Sequence, residues 1–235
     1  MAGDSFGSAH GRTLAIPPEP DRRWPLFFVS HAIRLSASRN AGDPAPNDHL
    51  TRFFDDLSEN VSQLFYRPPG ADPGFIDRAM EGGVDWETEL LTNVGTCQVL
   101  VALVSDPYTH RDWCGREWNA FTRRIVWQRG TKKIVENSCL IPVLWAPIRE
   151  ERMPRVIGTR QIFVPTRSPQ EGFGPKYRSE GIFGLLETGN ERIYGAVLWD
   201  LAFRVVDCAL NYWVVPDIPS SSGELRNEFD EGGTD

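Results

Sequence analysis

The sequence has no cysteine pair. Cys97, Cys114, Cys139 and Cys208 are scattered without a C-x-x-C spacing, and His10, His31, His49 and His110 keep no ligand-type spacing to them or to acids. Reduced thiols and no metal site are expected. A long apolar run is also missing: the longest aliphatic stretch, "VLVALV" at 99 to 104, is far too short to span a bilayer, and the N-terminus has no apolar signal region. The expectation is a cytoplasmic protein with no membrane partner. No G-x-G-x-x-G and no G-x-x-x-x-G-K-[ST] occurs, so neither a Rossmann fingerprint nor a Walker phosphate loop is on offer. Basic stripes are absent too, which argues against a nucleic-acid partner. Of the net charge of −7, the segment 216 to 235 carries −5, from Asp217, Glu224, Glu228, Asp230, Glu231 and Asp235 against Arg226, so the rest is close to neutral.

What is present is apolar and aromatic. Hydrophobic residues are 40% of the 235, with eight tryptophans, enough to bury one core of ordinary domain size. The Gly- and Pro-rich stretch 1–24 reads as a flexible leader, 25–215 as one domain, and 216–235 as an acidic disordered tail.

Within the domain, strand and helix patterns alternate. "LFFVS" (26–30), "FID" (75–77), "QVLVALVS" (98–105), "CLIPVLW" (139–145) and "QIFV" (161–164) read as strands. Leu50, Phe53, Phe54, Leu57, Val61, Leu64 and Phe65 recur at steps of three and four, which makes one apolar helix stripe, with Asn47 or Asp48 as its cap. Further helices are expected in "DWETELLTNVG", in "WCGREWNAFTRRIVWQ", near "GIFGLLE", and over 196–213. The alternation predicts an α/β fold, a doubly wound five-stranded parallel sheet flanked by helices, with ligands beyond the carboxyl ends of the strands. His31, Asp77, Ser105 and the start of the Glu117 helix fall at that edge.

Glu117 stands inside "SDPYTHRDWCGREW". Thr109 and Asp112 match a T-x-x-D capping box, so Glu117 can be an ordinary acid early in a helix. It can equally be a pocket carboxylate, with Trp113 four residues earlier on the same face to stack on a flat ring and to raise the acid's pKa by desolvation. Cys114 with His31 is a rival nucleophile pair. Asp77 either shapes its loop or contacts a ribose. The basic stretch Arg123, Arg124, Arg129, Lys132 and Lys133 reads as complementing the C-terminal dipole of the Glu117 helix.

The boxes "FFVSHA", "GFIDRAMEGGVDWETEL" and "VLVALVSDPYTHRDWCGREW" resemble, in order and spacing, the three signature boxes of TIR domains, over roughly Leu26 to Ile148. Among these the chain looks most like the actinobacterial TIR-like (FxsC-type) group. The resemblance implies a flavodoxin-like TIR fold and a TIR-domain NAD+ glycohydrolase, a nucleosidase or cyclase acting in bacterial signalling or defence, with NAD+ as substrate and no cofactor. The catalytic residue it implies is Glu117. Ser30, His31, Asp77, Arg78, Trp86, Ser105 and Trp113 are the substrate-binding candidates, and the loop 78–84 the gate or subunit contact. One carboxylate suffices for such chemistry: nicotinamide leaves as a neutral ring from a cationic one, so no acid is needed to protonate the leaving atom. TIR–TIR self-association and an activating protein or ligand are the implied partners. The alternative is a non-catalytic TIR scaffold. His31 and Ala32 stand where TIR domains usually have an aromatic and a basic residue.

Overall fold

The computed structural model describes residues 21–32, 46–77, 84–167 and 172–230. In chain order the strands are β1 (Phe27–Ser30), β2 (Gly74–Ile76), β3 (Val99–Val104), β4 (Val126–Gln128), β5 (Lys133–Val135), β6 (Leu140–Leu144) and β7 (Tyr212–Val214). The helices are α1 (Pro46–Leu64), α2 (Val84–Thr96), the single turn α3 (Asp106–Thr109), α4 (Asp112–Thr122), the single turn α5 (Arg155–Gly158), α6 (Phe173–Glu187) and α7 (Glu191–Asn211).

β1, β2, β3 and β6 form a parallel sheet in the order β2-β1-β3-β6. Every residue of β1, β3 and β6 is buried, as continuous apolar runs covered on both faces require. The α1 stripe sets Leu50, Phe53, Leu57 and Val61 into the core, and α1 packs on α7, α7 on α6, and α2 on α4. The chain passes from β1 outward to β2 and then back across to β3. The direction of winding therefore reverses beside β1, and the cleft at the carboxyl ends of β1 and β3 is where such sheets hold ligands.

Four strands, not five, make this sheet. The expected strand at 161–164 is irregular chain beside β6, whose Phe163 N–H donates to Pro142 O at 2.7 Å. That carbonyl points to the open edge of β6, and so would the N–H that proline lacks, so the ladder stops there. The helix near "GIFGLLE" is present as the second half of α6. It is kinked at Gly181, where φ is +66° and a side chain would run into Trp145 O, 2.5 Å from a Cβ at that position.

A second, antiparallel sheet in the order β5-β4-β7 was not expected. The helix read through Gln128 ends at Thr122, and the helix read to Trp213 ends at Asn211; the residues beyond each pair as β4 and β7. Arg124 explains the break. It is 4% exposed, and its guanidinium donates to Val94 O (3.0 Å), Cys97 O (2.8 Å), Val214 O (3.2 Å) and Val215 O (3.0 Å). Arg124 thus serves the C-terminus of α2 rather than its own helix, and Arg129 likewise donates to Ala209 O and Tyr212 O at the end of α7. Arg124→Met is expected to lower the free energy of unfolding in urea by about 3–5 kcal/mol, because four buried carbonyls lose a charged donor. Lys133→Ala, at an exposed site, should stay within about 0.5 kcal/mol of the parent.

The acidic segment also departs from expectation. Residues 216–230 are laid over α2 and α4, with Leu225 and Phe229 buried at 6% and 7% exposure. Two apolar side chains outside any α-helix carry no periodic signal, and the acids around them dominate the composition.

Candidate functional site

The carboxyl end of β1 supplies Ser30 and His31, the end of β2 supplies Asp77, α2 supplies Trp86, and α4 supplies Trp113, Cys114 and Glu117. Together with Arg111, the residue that precedes α4, all of these except Ser30 line one pocket of about 180 Å³. Five of the residues named from sequence as catalytic or substrate-binding, His31, Asp77, Trp86, Trp113 and Glu117, therefore meet here.

Glu117 is buried, 6% exposed, at the inner wall. Its Oε2 accepts a hydrogen bond from Ser30 Oγ, and Ser30 Oγ is 2.9 Å from Tyr108 Oη. Tyr108 is fully buried, and burial pushes its phenol well above the ordinary range, so it remains a donor. The proton order is thus Tyr108 to Ser30 to Glu117. Burial is also the largest influence on Glu117, pushing its pKa up to about 8; the Ser30 hydrogen bond opposes the shift and the Asp77 charge adds to it. At neutral pH the carboxyl is largely protonated.

Two indoles line the pocket with Glu117. The Trp86 and Trp113 rings lie 4.9 Å apart at 81°, edge to face, and Trp86 Nε1 donates to Asp77 Oδ1 at 2.9 Å. Asp77 therefore aims an aromatic wall. The Arg116 guanidinium lies 5.7 Å from the centre of the Trp113 ring and pairs with Asp112 at 2.7 Å.

The Cys114–His31 pair does not form. His31 Nε2 lies 2.9 Å from Asp77 O, so that nitrogen carries the proton, and burial lowers the ring's pKa, which keeps it neutral. The Cys114 thiol donates to the backbone carbonyl of His31 at 3.4 Å, and burial pushes its pKa well above the usual thiol value. A protonated thiol facing a carbonyl is not a nucleophile.

Other assignments move. Ser105 caps α3, accepting from Tyr108 N at 3.4 Å, and is not among the pocket-lining residues. Thr109 does not open α4: it closes α3, with its hydroxyl on Asp106 O, and the residue before α4 is Arg111, which makes no side-chain cap. Arg78 and the rest of the loop through residue 83 lie outside the described residues. Sequence reasoning missed Arg111 and Tyr108. Arg111 stands two residues before Trp113 at a helix start on the ligand edge, which was the available signal; Tyr108 offered none beyond its place in the same box.

A larger cavity of about 420 Å³ lies at the opposite, amino end of the strands, where Leu26, Thr96 and Gln98 lead into β1 and β3. Its one acid, Asp21, is held by Arg23 at 2.7 Å, so it offers no group for acid–base work. The smaller pocket has the chemistry.

A four-stranded parallel sheet with a buried acid at its winding reversal defines an α/β domain with a ligand cleft. Residues 58–173 match the family model of the TIR domain, just under half of the chain. A TIR domain is thus present, and the match includes Asp77, Trp86, Trp113 and Glu117 while leaving Ser30 and His31 before its start. No curated protein and no solved structure matches the chain. Among the described residues no helix is long and apolar enough to cross a membrane.

Proposed function

We propose that the protein cleaves the bond between nicotinamide and ribose in NAD+, with Glu117 as the catalytic carboxylate. The observation that carries this reading is the burial of Glu117 at the sheet's ligand edge, held by Ser30 in a pocket that the paired indoles of Trp86 and Trp113 also line. A flat pyridinium suits such walls, and its positive charge favours the ionised form of the acid beside it. The carboxylate then stabilises the oxocarbenium-like ribose as neutral nicotinamide departs. Water completes the reaction to ADP-ribose, nicotinamide and a proton; a hydroxyl of the same molecule in place of water gives a cyclic product.

A pocket of about 180 Å³ takes one ring and not a whole dinucleotide, since small-molecule sites run to roughly 300–1,000 Å³. Arg111, the cation on the pocket wall, suits the pyrophosphate at the mouth. The remainder of the substrate would extend from the pocket onto a second TIR copy, which is why self-association and an activating partner belong to the proposal. A flavodoxin-like winding, membership of the FxsC-type group, a cytoplasmic location and a role in bacterial defence are further parts of it.

The test is incubation of the purified protein with NAD+ over a hundredfold range of protein concentration, with products separated by chromatography. Nicotinamide appearing with ADP-ribose or its cyclic form, at a rate per molecule that rises with concentration, is the expected result. No nicotinamide at any concentration would favour the scaffold.

A further inference from the structure

The helix that carries Glu117 is held from behind. Trp113, Cys114 and Glu117 face the pocket, while Gly115 and Asn119, one turn apart on another face, meet the acidic segment. That segment begins at Asp217, whose N–H donates to Gly95 O at 3.0 Å and whose carboxylate pairs with Arg123 at 2.9 Å. It crosses the α2–α4 seam at Ser222, whose N–H donates to Glu87 Oε1 at 2.7 Å and whose carbonyl accepts from Arg116 at 3.3 Å. It then grips α4. Asn119 Nδ2 donates to Glu228 Oε1 at 2.6 Å, Glu228 N donates to Gly115 O at 3.4 Å, and a Cβ built on Gly115 would lie 1.6 Å from Asn227 Oδ1.

The segment ends in an anchor. The Phe229 ring centre is 5.4 Å from that of Tyr108 and 5.7 Å from that of Trp118, and its N–H is fixed by Asn227 Oδ1 at 3.0 Å. Tyr108 is the residue whose hydroxyl meets Ser30, and Ser30 is the donor to Glu117. One continuous set of contacts therefore runs from the acidic segment to the carboxyl in the pocket.

We infer that residues 217–230 are a strap that positions the Glu117 carboxyl, with Phe229 as the positioning residue acting through Tyr108 and Ser30. The strap adds no strand to either sheet. What it fixes is the tilt of α4 and the back of Tyr108, and an error of about 1 Å at a reacting group can cost on the order of 100-fold in rate. Its grip is polar at the seam, and Leu225 and Phe229, with Pro219, are its buried apolar residues.

The inference rests on Glu117 being the working carboxyl of the proposed NAD+ cleavage, so the test reads that carboxyl directly as well as turnover. Phe229→Ala removes the anchor and Phe229→Leu restores an apolar one. Gly115→Ala pushes Asn227 away while improving the propensity of α4, and so loosens the strap without deleting a core side chain. In each folded variant the Glu117 side-chain carboxyl is titrated by carbon-13 NMR, and kcat and KM for NAD+ are measured. Phe229→Ala and Gly115→Ala are expected to move the carboxyl's titration midpoint down by about one unit or more as water enters. They should cut kcat by about 10- to 100-fold with little change in KM, and Phe229→Leu should recover most of both. An unchanged Glu117 titration in folded Gly115→Ala overturns the strap even if Phe229→Ala unfolds. Variants whose Glu117 titration shifts as expected, beside a wild type that releases no nicotinamide, overturn the NAD+ reading and leave the strap standing.

Discussion

Glu117→Gln is expected to lower the rate of nicotinamide release from NAD+ by about 10²–10³-fold, the usual cost of removing one preorganised electrostatic partner of a transition state. The change is nearly isosteric. A glutamine oxygen can still accept from Ser30 Oγ, and the amide fills the same buried space beside Trp113, so the fold and the ring-binding walls are retained. What is lost is the negative charge that forms when a cationic ring enters, and only the step that builds positive charge on ribose should feel it. KM should therefore change far less than kcat. A drop in KM and kcat together with a lower melting temperature would instead indicate a structural acid.

The second large effect is on stability as a function of pH. The folded pKa of Glu117 is about 8, against roughly 4.3 for an unfolded glutamate. Between those values the native state holds a proton that the unfolded state has released, so stability falls as pH rises, at up to about 1.4 kcal/mol per unit for this group. The contribution is complete below the unfolded pKa and gone once pH passes the folded one. Glu117→Gln cannot ionise and should escape the loss. Relative to wild type, the variant is thus expected to gain about 2–4 kcal/mol in urea unfolding between pH 5 and pH 8. Parallel profiles for the two proteins would mean that the carboxyl ionises normally and is not desolvated. For the same reason kcat/KM should climb through pH 8 as the free enzyme ionises, while kcat should be less dependent on pH because a bound pyridinium favours the anion.

Much of this site was legible in the sequence, because it depends on strand ends and one helix face. Apolar runs fixed the places of β1, β3 and β6, and the four-residue step from Trp113 to Glu117 put both on one wall. The helix ends were less legible. Nothing local in "RRIVWQ" tells that Arg124 turns inward to four carbonyls and leaves Val126–Gln128 to pair with Tyr212–Val214, since the carbonyls come from residues 30 and 90 positions away. Pro142 did carry the reason why 161–164 is no strand, but only once its carbonyl is known to face the sheet edge. The strap was hidden by its own acids. Phe229 is a lone aromatic in an acidic stretch, and its value lies in Tyr108 and Trp118, more than a hundred residues earlier.

The capping box illustrates the opposite error. Thr109 and Asp112 fit the motif in spacing, yet a separate turn, α3, takes Thr109 as its last residue and Ser105 as its cap. That extra turn brings Tyr108 under Ser30, which the motif reading had no means to place.

In the proposed mechanism Glu117 is a buried carboxyl whose ionised form drives departure of nicotinamide. The most direct test of it follows nicotinamide release from NAD+ by proton NMR from pH 6 to pH 9, for wild type and Glu117→Gln side by side at a concentration that permits self-association. The expected result is release by wild type whose kcat/KM rises toward pH 8, with the variant folded and nearly silent at every pH. Equal rates in the two proteins, or none in a folded wild type at any pH and concentration, would contradict it.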